Sequence, residues 1–185
     1  MTTTSEASSL RGLLASRPVL GVRHHWLLIF MALFMYGLDL LTKELALLWL
    51  KPLESHYLLG PWLQIRLLFN SGAAFSLGEN FTVAFAALGC AALLIVIFLV
   101  APRVTGRLEN IVVGLLVAGI AGNLTDRMFR PNHATGETIP FHGSVIDWLG
   151  IQYFAVFNVA DMCITAAAVI IILGLLRTSV HHGQP

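Results

Sequence analysis

The stretch Phe157-Asn158-Val159-Ala160-Asp161 lies near the start of an apolar run that extends from Phe154 to Leu176. A run of this length can cross a bilayer as a helix. A carboxylate within such a helix costs about 2.5–3.5 kcal/mol on insertion scales, so Asp161 marks a candidate functional site. On a helix Asn158, Asp161 and Thr165 would share one face, which predicts a group of polar side chains turned inward.

The composition is typical of an integral membrane protein. Of the 185 residues, 57% are hydrophobic and 11% are charged, whereas soluble domains are about 25% charged. This length allows one compact membrane domain. Cys90 and Cys163 lie in apolar runs, and the histidines lie in loops and tails without the spacing of metal ligands. We therefore expect no disulfide, no metal site and no cofactor.

Four apolar runs predict an all-α membrane protein, a bundle of four transmembrane helices. The predicted spans are Trp26–Leu41 continuing towards Leu50, Phe81–Ala101, Leu108–Leu124 and Phe154–Leu176. They define a four-span domain over residues 26–176, with a basic tail at 1–25 and a short tail at 177–185. In the third span, small residues recur at every fourth position, which favours close helix packing in a membrane: Gly114, Ala118 and Gly122.

Two longer segments, 52–80 and 128–153, separate the spans. In the first, the alternation over Leu63–Leu67 predicts a half-exposed strand. The strand is followed by Asn70-Ser71-Gly72-Ala73-Ala74-Phe75-Ser76, where glycine permits another group to approach the backbone closely. The second segment is interrupted by prolines and glycines before the apolar piece Val145–Leu149, which carries Asp147.

The charge distribution predicts the orientation in the membrane. Four spans place both tails and the turn at 102–107 on one side, which carries six arginines and two glutamates. The other side carries five basic and eight acidic residues. Basic residues accumulate in cytoplasmic segments, so the tails and the turn are predicted to be cytoplasmic. The unusual polar residues then converge on the outer leaflet, with Asp161 seven residues into the fourth span, about 10 Å along a helix.

Asp147 and Asp161 are separated by 14 positions and could face each other where a loop meets a helix. Two carboxylates that are close together in an apolar site cannot both ionise easily, so the pair shares a proton. An aspartic protease needs this arrangement, because one carboxylate takes a proton from water while the other donates one. The alternative is that Asp161 pairs with Arg127 or Lys43 and only holds the bundle together.

Other polar residues also have structural alternatives. Asp126 and Arg127 fit an ion pair at a helix end, Asn123 fits a helix cap, and Asp39 with Lys43 fits a favourable i, i+4 pair. A small proton-coupled transporter or channel component would also use intramembrane Asp and Asn. Its polar residues, however, would not stop at one leaflet. A serine protease lacks support, because no His lies within a predicted span.

Four ordered blocks make the chain resemble the bacterial lipoprotein signal peptidases, also called type II signal peptidases. The blocks are Asn70–Ser76, Gly122–Arg127, Val145–Asp147 and Phe157–Asp161. The resemblance extends from about Trp26 to Leu176. In the first span the family usually has Asp-Gln followed by Ser/Thr-Lys, whereas this chain reads Asp39-Leu40-Leu41-Thr42-Lys43. The loop between the second and third blocks is also longer than in compact members.

The resemblance implies roles for individual residues in an aspartic endopeptidase. It implies a catalytic dyad of Asp147 and Asp161. The residues that would hold the substrate backbone are Asn70, Asn123 and Arg127, and those that would support the site are Asp39, Lys43, Gly72, Asp126 and Asn158. The implied substrate is a diacylglyceryl-modified prolipoprotein, cut just before its lipidated Cys, and globomycin-like peptides would inhibit the enzyme.

The resemblance also implies an architecture and a location. The helix bundle would carry a small extracytoplasmic β-cradle, and part of the 128–144 loop would move over the site. The protein would span the bacterial cytoplasmic (inner) membrane with both termini in the cytoplasm and its active site near the outer leaflet. The expected partners are lipid-modified prolipoproteins and membrane lipids, not nucleic acid, and the chain is expected to act as a monomer.

Overall fold

The computed structural model of the chain describes residues 25–52, 54–72 and 80–182. Within these ranges, four helices are long and apolar enough to cross a membrane. The candidate spans are His25–Trp49, Thr82–Arg103, Arg107–Phe129 and Val159–Arg177. They lie in the helices α1 His25–Trp49, α2 Asn80–Ile95 with its continuation, α3 Arg107–Phe129 and α4 Val159–His182. A π-helical turn at Val96–Val100 and a 3-10 turn at Ala101–Arg103 extend α2. The predicted four-helix membrane fold is therefore confirmed, whereas nearly all of the predicted N-terminal tail lies outside the described residues.

A small antiparallel sheet accompanies the bundle. Its strands are β1 Ser55–Leu59, β2 Leu63–Asn70, β3 Val145–Ile151 and β4 Val156–Phe157, in the order β1-β2-β3-β4. β2 contains the predicted strand. The register pairs Leu68 with Asp147 and Asn70 with Val145. The sheet therefore joins the segment that follows α1 to the segment that follows α3, and it brings two of the sequence blocks side by side.

Among the helix boundaries that differ from the predicted spans, two lie beside the polar residues that the sequence singles out. α3 continues to Phe129 instead of ending at Leu124, because polar residues in its last turns find partners within the protein. α4 begins at Val159 instead of Phe154, because Val156 and Phe157 pair with β3. Hydropathy alone detects neither boundary, since hydrogen bonds to neighbouring elements decide where each helix starts or ends.

The prediction that no His lies within a span was wrong, because the first helix begins at His25, one residue before the predicted start at Trp26. The His25 imidazole Nε2 lies 3.2 Å from the Ala101 carbonyl oxygen, in the turn that connects α2 to α3. The connections that carry the sheet lie at the other end of the bundle. His25 therefore stands far along the helices from the polar residues that the sequence singles out.

Small residues allow α3 to lie against both α1 and α4. A Cβ added at Gly114 would stand 2.8 Å from the Leu28 carbonyl oxygen of α1. One added at Gly119 would stand 2.6 Å from the Ile164 side chain of α4. Larger residues at these positions would push the helices apart, so the predicted close packing along α3 is confirmed. This packing brings polar side chains of three helices together.

Candidate active site

Asp147 lies on β3 and is 1% exposed. Its Oδ1 accepts a hydrogen bond from the Asn158 side-chain amide at 2.7 Å, and its Oδ2 accepts one from the Asn70 side-chain amide at 3.1 Å. Burial and the nearby charge of Asp161 raise the pKa of Asp147 to about 7. This carboxyl is therefore partly protonated at neutral pH, when an exposed Asp would be ionised.

Asp161 lies in the first turn of α4, where it forms a reciprocal cap with Asn158. Asn158 Oδ1 accepts the backbone N–H of Asp161 at 2.9 Å, and Asp161 Oδ2 accepts the backbone N–H of Asn158 at 3.2 Å. This is the geometry of a capping box. Asp161 is thus the third residue of its helix, and the prediction that it lies seven residues inside a span was wrong.

The predicted polar face of the fourth helix is also revised. Asn158 precedes the helix as its cap, and Thr165 is exposed. The inward polar group is completed by residues of other elements, because Asn123 of α3 donates its side-chain amide to Asp161 Oδ1 at 2.7 Å. Asp161 therefore bonds to Asn123 and Asn158, and the alternative of an ion pair with Arg127 or Lys43 is not found among the described residues.

The Asn158 side chain connects the two carboxylates. It is fully buried. Its Nδ2 lies 2.7 Å from Asp147 Oδ1, 3.0 Å from Asn123 Oδ1 and 3.2 Å from the Ile146 carbonyl oxygen. The Asn158 side-chain nitrogen thus contacts Asp147, whereas the Asn158 backbone N–H and side-chain Oδ1 bond to Asp161. Asn123 lies well inside α3, so the alternative that it caps the end of that helix was wrong.

Lys43 is a fully buried cation between two buried carboxylates. Its Nζ lies 2.7 Å from Asp39 Oδ2 and 2.7 Å from Asp126 Oδ2, and it donates to Asn123 Oδ1 at 3.3 Å. The expected i, i+4 contact of Asp39 with Lys43 is present. Because Asp126 comes from α3, the same lysine also joins α1 to α3. The two carboxylates offset the free energy that the buried cation loses with its hydration.

Each of the two carboxylates that contact Lys43 holds the backbone next to a candidate catalytic residue. Asp39 Oδ1 accepts the backbone N–H of Ala160 at 2.8 Å, one residue before Asp161. Asp126 Oδ2 accepts the backbone N–H of Ile146 at 3.3 Å, one residue before Asp147. The buried charges therefore hold the polypeptide at the two positions from which the two candidate carboxylates project.

Sequence reasoning missed Arg130 as a partner of Asp126. Arg130 Nε lies 2.6 Å from Asp126 Oδ1, and its Nη2 lies 2.7 Å from Glu44 Oε1. The neighbouring positions of Asp126 and Arg127 suggested an ion pair between those two. Adjacent residues on a helix do not face each other, whereas residues four apart do. The i, i+4 spacing from Asp126 was therefore the signal that pointed to Arg130.

Arg127 turns away from Asp126 and towards an apolar groove. Its Nη1 donates to the Asn123 carbonyl oxygen at 3.3 Å, and its guanidinium lies 5.8 Å from the centre of the Phe85 ring. No carboxylate of the described residues lies within 4.0 Å of it. The cavity beside Arg127, about 220 Å³ in volume, lies between α2, α3 and α4 and is lined mainly by Phe85, Leu88, Ile120, Asn123 and Ile164. Arg127 thus keeps donors available beside a membrane-facing groove.

The first sequence block reaches the site through Asn70. Asn70 Oδ1 accepts the backbone N–H of Gly72 at 2.9 Å, which orients the amide that donates to Asp147. Gly72 has a φ of 84°, and a Cβ there would stand 3.0 Å from the Phe85 ring. The positive φ favours glycine and a Cβ would crowd the ring, in agreement with the close approach that the sequence predicts. Residues 73–76 of this block lie outside the described residues.

Fold and site together define a multi-pass membrane protein with paired carboxylates at one end of a four-helix bundle. The chain belongs to the signal peptidase II family, since residues 31–177 match the family model described as Signal peptidase (SPase) II. Family membership identifies the chain as a protease.

Individual relatives agree with this assignment. A lipoprotein signal peptidase of Streptomyces coelicolor is 39% identical over 83% of this chain and 72% of the relative. One of Streptomyces griseus is 36% identical over 92% of this chain and 83% of the relative. A solved bacterial membrane enzyme structure, obtained by the in meso method, superimposes with a TM-score of 0.67 at 25% identity, over 80% of this chain and 92% of that chain.

Proposed function

We propose that the chain is an intramembrane aspartic endopeptidase that removes the signal peptide from diacylglyceryl-modified prolipoproteins, cutting just before the lipidated Cys. Its relatives are lipoprotein signal peptidases, which supports signal-peptide removal from prolipoproteins. The observation that carries the aspartic mechanism is the linkage of Asp147 and Asp161 through Asn158. The raised pKa of Asp147 beside a second carboxylate favours one shared proton at neutral pH.

In this mechanism the two carboxylates exchange roles around one water molecule. The ionised carboxylate takes a proton from the water as its oxygen attacks the scissile carbonyl carbon. The protonated carboxyl donates to the carbonyl oxygen, which becomes a hydroxyl of the tetrahedral intermediate. When the C–N bond breaks, the leaving amine takes a proton from the protonated carboxyl, and one hydroxyl of the intermediate gives its proton to the other carboxylate as the carboxyl product forms. Asn158 and Asn70 hold Asp147 by its two oxygens, so the dyad is oriented before the substrate binds.

Three side chains are proposed to hold the substrate backbone: Asn70, Asn123 and Arg127. Arg127 carries a fixed charge with five donors, suited to peptide carbonyls near a membrane surface. The apolar groove beside it fits an apolar segment that remains in the bilayer. Asp39, Lys43, Gly72, Asp126 and Asn158 are proposed to support the site. Globomycin-like peptides would occupy the same groove as the substrate.

The proposed location is the bacterial cytoplasmic membrane, with both termini cytoplasmic and the site near the outer leaflet. The positions of the site residues support this orientation. Asp126 lies near the end of α3 and Asp161 at the start of α4, on the side where the chain forms the sheet. Arg103 and Arg107 lie in the connection at the opposite end. The protein is proposed to act as a monomer, with the 128–144 loop moving over the site.

A proton-coupled transporter is the competing proposal. It would need polar groups along the whole membrane thickness. The sequence Phe81–Ala101 has no ionisable residue apart from Cys90, and the buried ion pairs of the described residues lie at one end of the bundle. The endopeptidase is therefore favoured over transport.

The test is cleavage of a lipidated prolipoprotein by the purified protein. Asp147→Asn and Asp161→Asn should each lower turnover by at least about 10²–10⁴-fold, because each variant keeps its shape but loses proton transfer. The double variant should be no worse than either single one, since the dyad acts as a unit. Glu54→Gln, an exposed acid on the sheet side, is the control and should keep wild-type turnover.

Thermal unfolding shows whether each Asn variant is folded. If a folded variant cleaved the substrate at a near-normal rate, the substituted residue would not belong to the dyad. If both did, the aspartic mechanism would be wrong and transport would become the better proposal.

A further inference from the structure

A second groove, about 470 Å³ in volume, runs over the sheet from the candidate active site. It is lined by β2 and by the turn and strand around β4, mainly Arg66, Leu68, Asn70, Ser71, Phe154 and Val156. Asn70 lines it and also donates a hydrogen bond to Asp147. The groove therefore adjoins the proposed catalytic carboxylate through Asn70, although none of its lining belongs to the helices.

Arg66 is the cation of this groove. It lies where the register of β2 against β3 shifts between Ile65 and Leu68. Such bulges recur beside active sites, where they redirect a side chain. Arg66 Nε is buried and has no hydrogen-bond acceptor, and no carboxylate of the described residues lies within 4.0 Å of its guanidinium. A buried donor without a partner is unfavourable, so a ligand oxygen at this point would be bound favourably.

The two grooves differ in chemistry, and this difference indicates what each one binds. The groove beside Arg127 lies between membrane helices, and apart from Asn123 and Arg127 its lining is apolar. The groove beside Arg66 lies on the sheet and exposes more polar surface, from Arg66, Asn70 and Ser71. A peptide whose scissile bond lies at the dyad must extend away from it in two directions. Its apolar signal segment fits the first groove, so the polar segment beyond the cut fits the second.

We infer that the Arg66 groove binds the first residues of the mature lipoprotein, on the carboxyl side of the cleaved bond. Arg66 donates hydrogen bonds to carbonyl or carboxylate oxygens of that segment. The planar fork of the guanidinium suits such oxygens better than an ammonium group does. This inference rests on the proposed endopeptidase function and adds to it the part of the substrate that the sheet recognises.

The experiment compares two lipidated substrates with the same signal segment and lipidated Cys. One ends as an amide directly after that Cys, and the other continues into a short mature segment. The wild-type protein should have the higher kcat/KM for the extended substrate. Arg66→Ala should lower the ratio of the two kcat/KM values on the order of tenfold, the effect of losing a hydrogen bond to a charged donor. Arg66→Lys should lower the ratio by less.

Lys51→Ala is the matched control, because Lys51 is an exposed cation near β1 with a side chain that is 80% exposed. It should leave the ratio unchanged. If Arg66→Ala does not fold, Arg66→Gln gives the same comparison with a neutral donor. The inference is overturned if the Arg66 variants lower both kcat/KM values by one factor, or leave both unchanged. If the wild-type protein cleaves neither substrate, the proposed function itself fails.

Discussion

The candidate carboxylates stand on different secondary structures, yet the backbone before each is held in the same way. Asp147 projects from β3 and Asp161 from the first turn of α4. In both cases a buried carboxylate of a neighbouring helix accepts the N–H of the preceding residue. Lys43 contacts both of these accepting carboxylates. One cation thereby connects the strand position and the helix position.

The two positions differ in how much additional support they have. The helix position contains its own cap, because Asn158 and Asp161 bond reciprocally. The strand position follows the long connection at 130–144, and Asp126 beside it contacts a second cation, Arg130. A helix start supplies its own hydrogen-bond partners, whereas a strand that follows a long loop depends on partners from other elements. We therefore expect charge substitutions to disturb the Asp147 side more than the Asp161 side.

The largest effect is expected from Lys43→Met, which removes the cation common to both positions. Asp39 and Asp126 would remain buried without it, and breaking a buried pair costs about 3–5 kcal/mol. Thermal unfolding in detergent measures the loss. Lys51→Met is the control, and at this exposed position the change should stay within about 0.5 kcal/mol. A loss for Lys43→Met no larger than the control would mean that the cation does not hold the two positions together.

The next largest effect is expected from the pH dependence of cleavage, which distinguishes the two carboxylates. Burial and Asp161 raise the pKa of Asp147 to about 7, so its proton is present below this pH and is lost as the pH rises through it. Above about pH 7, kcat/KM should fall about tenfold per pH unit, because the protonated member of the dyad disappears. A flat profile from neutral to mildly alkaline pH would contradict the assignment of the shared proton.

Asn70→Ala gives a directed test of the same assignment. The Asn70 amide donates to Asp147 and lowers its pKa against the larger effect of burial. Without this donor the pKa of Asp147 should rise further, and the alkaline fall in kcat/KM should move to higher pH. The position of the fall is the measurement, since overall activity also decreases when a substrate contact is lost.

The smallest effect is expected from Arg130→Ala, which removes one partner of Asp126 and leaves Lys43 in place. Asp126 is fully buried but keeps its contact with Lys43, so the loss of stability should be smaller than the one expected for Lys43→Met. Because Asp126 holds the backbone before Asp147, kcat should fall severalfold while KM changes little. Glu44→Gln removes only the outer contact of Arg130 and should change kcat less. A change in KM alone would place Arg130 in substrate binding instead.

Much of this protein follows from local sequence. Four long apolar runs require four helices, because a backbone in lipid must satisfy its own hydrogen bonds. The alternation at Leu63–Leu67 predicted β2, and the small residues of α3 predicted close packing. The sequence analysis also named the polar side chains that the structure assembles around Asp147 and Asp161, apart from Arg130 and Glu44. Those two residues required knowledge of how far α3 extends.

Tertiary structure alone decided which groups pair. Asp39 accepts the N–H of Ala160, 121 positions away in the sequence, and Asn158 contacts Asp147 across the junction of a helix and a strand. Hydropathy measures the free energy of transferring each segment into lipid. It contains no information on which polar groups meet after the helices have packed. The start of α4 at Val159 and the double contact of Lys43 were therefore determined by packing and by the cost of leaving buried polar groups unpaired.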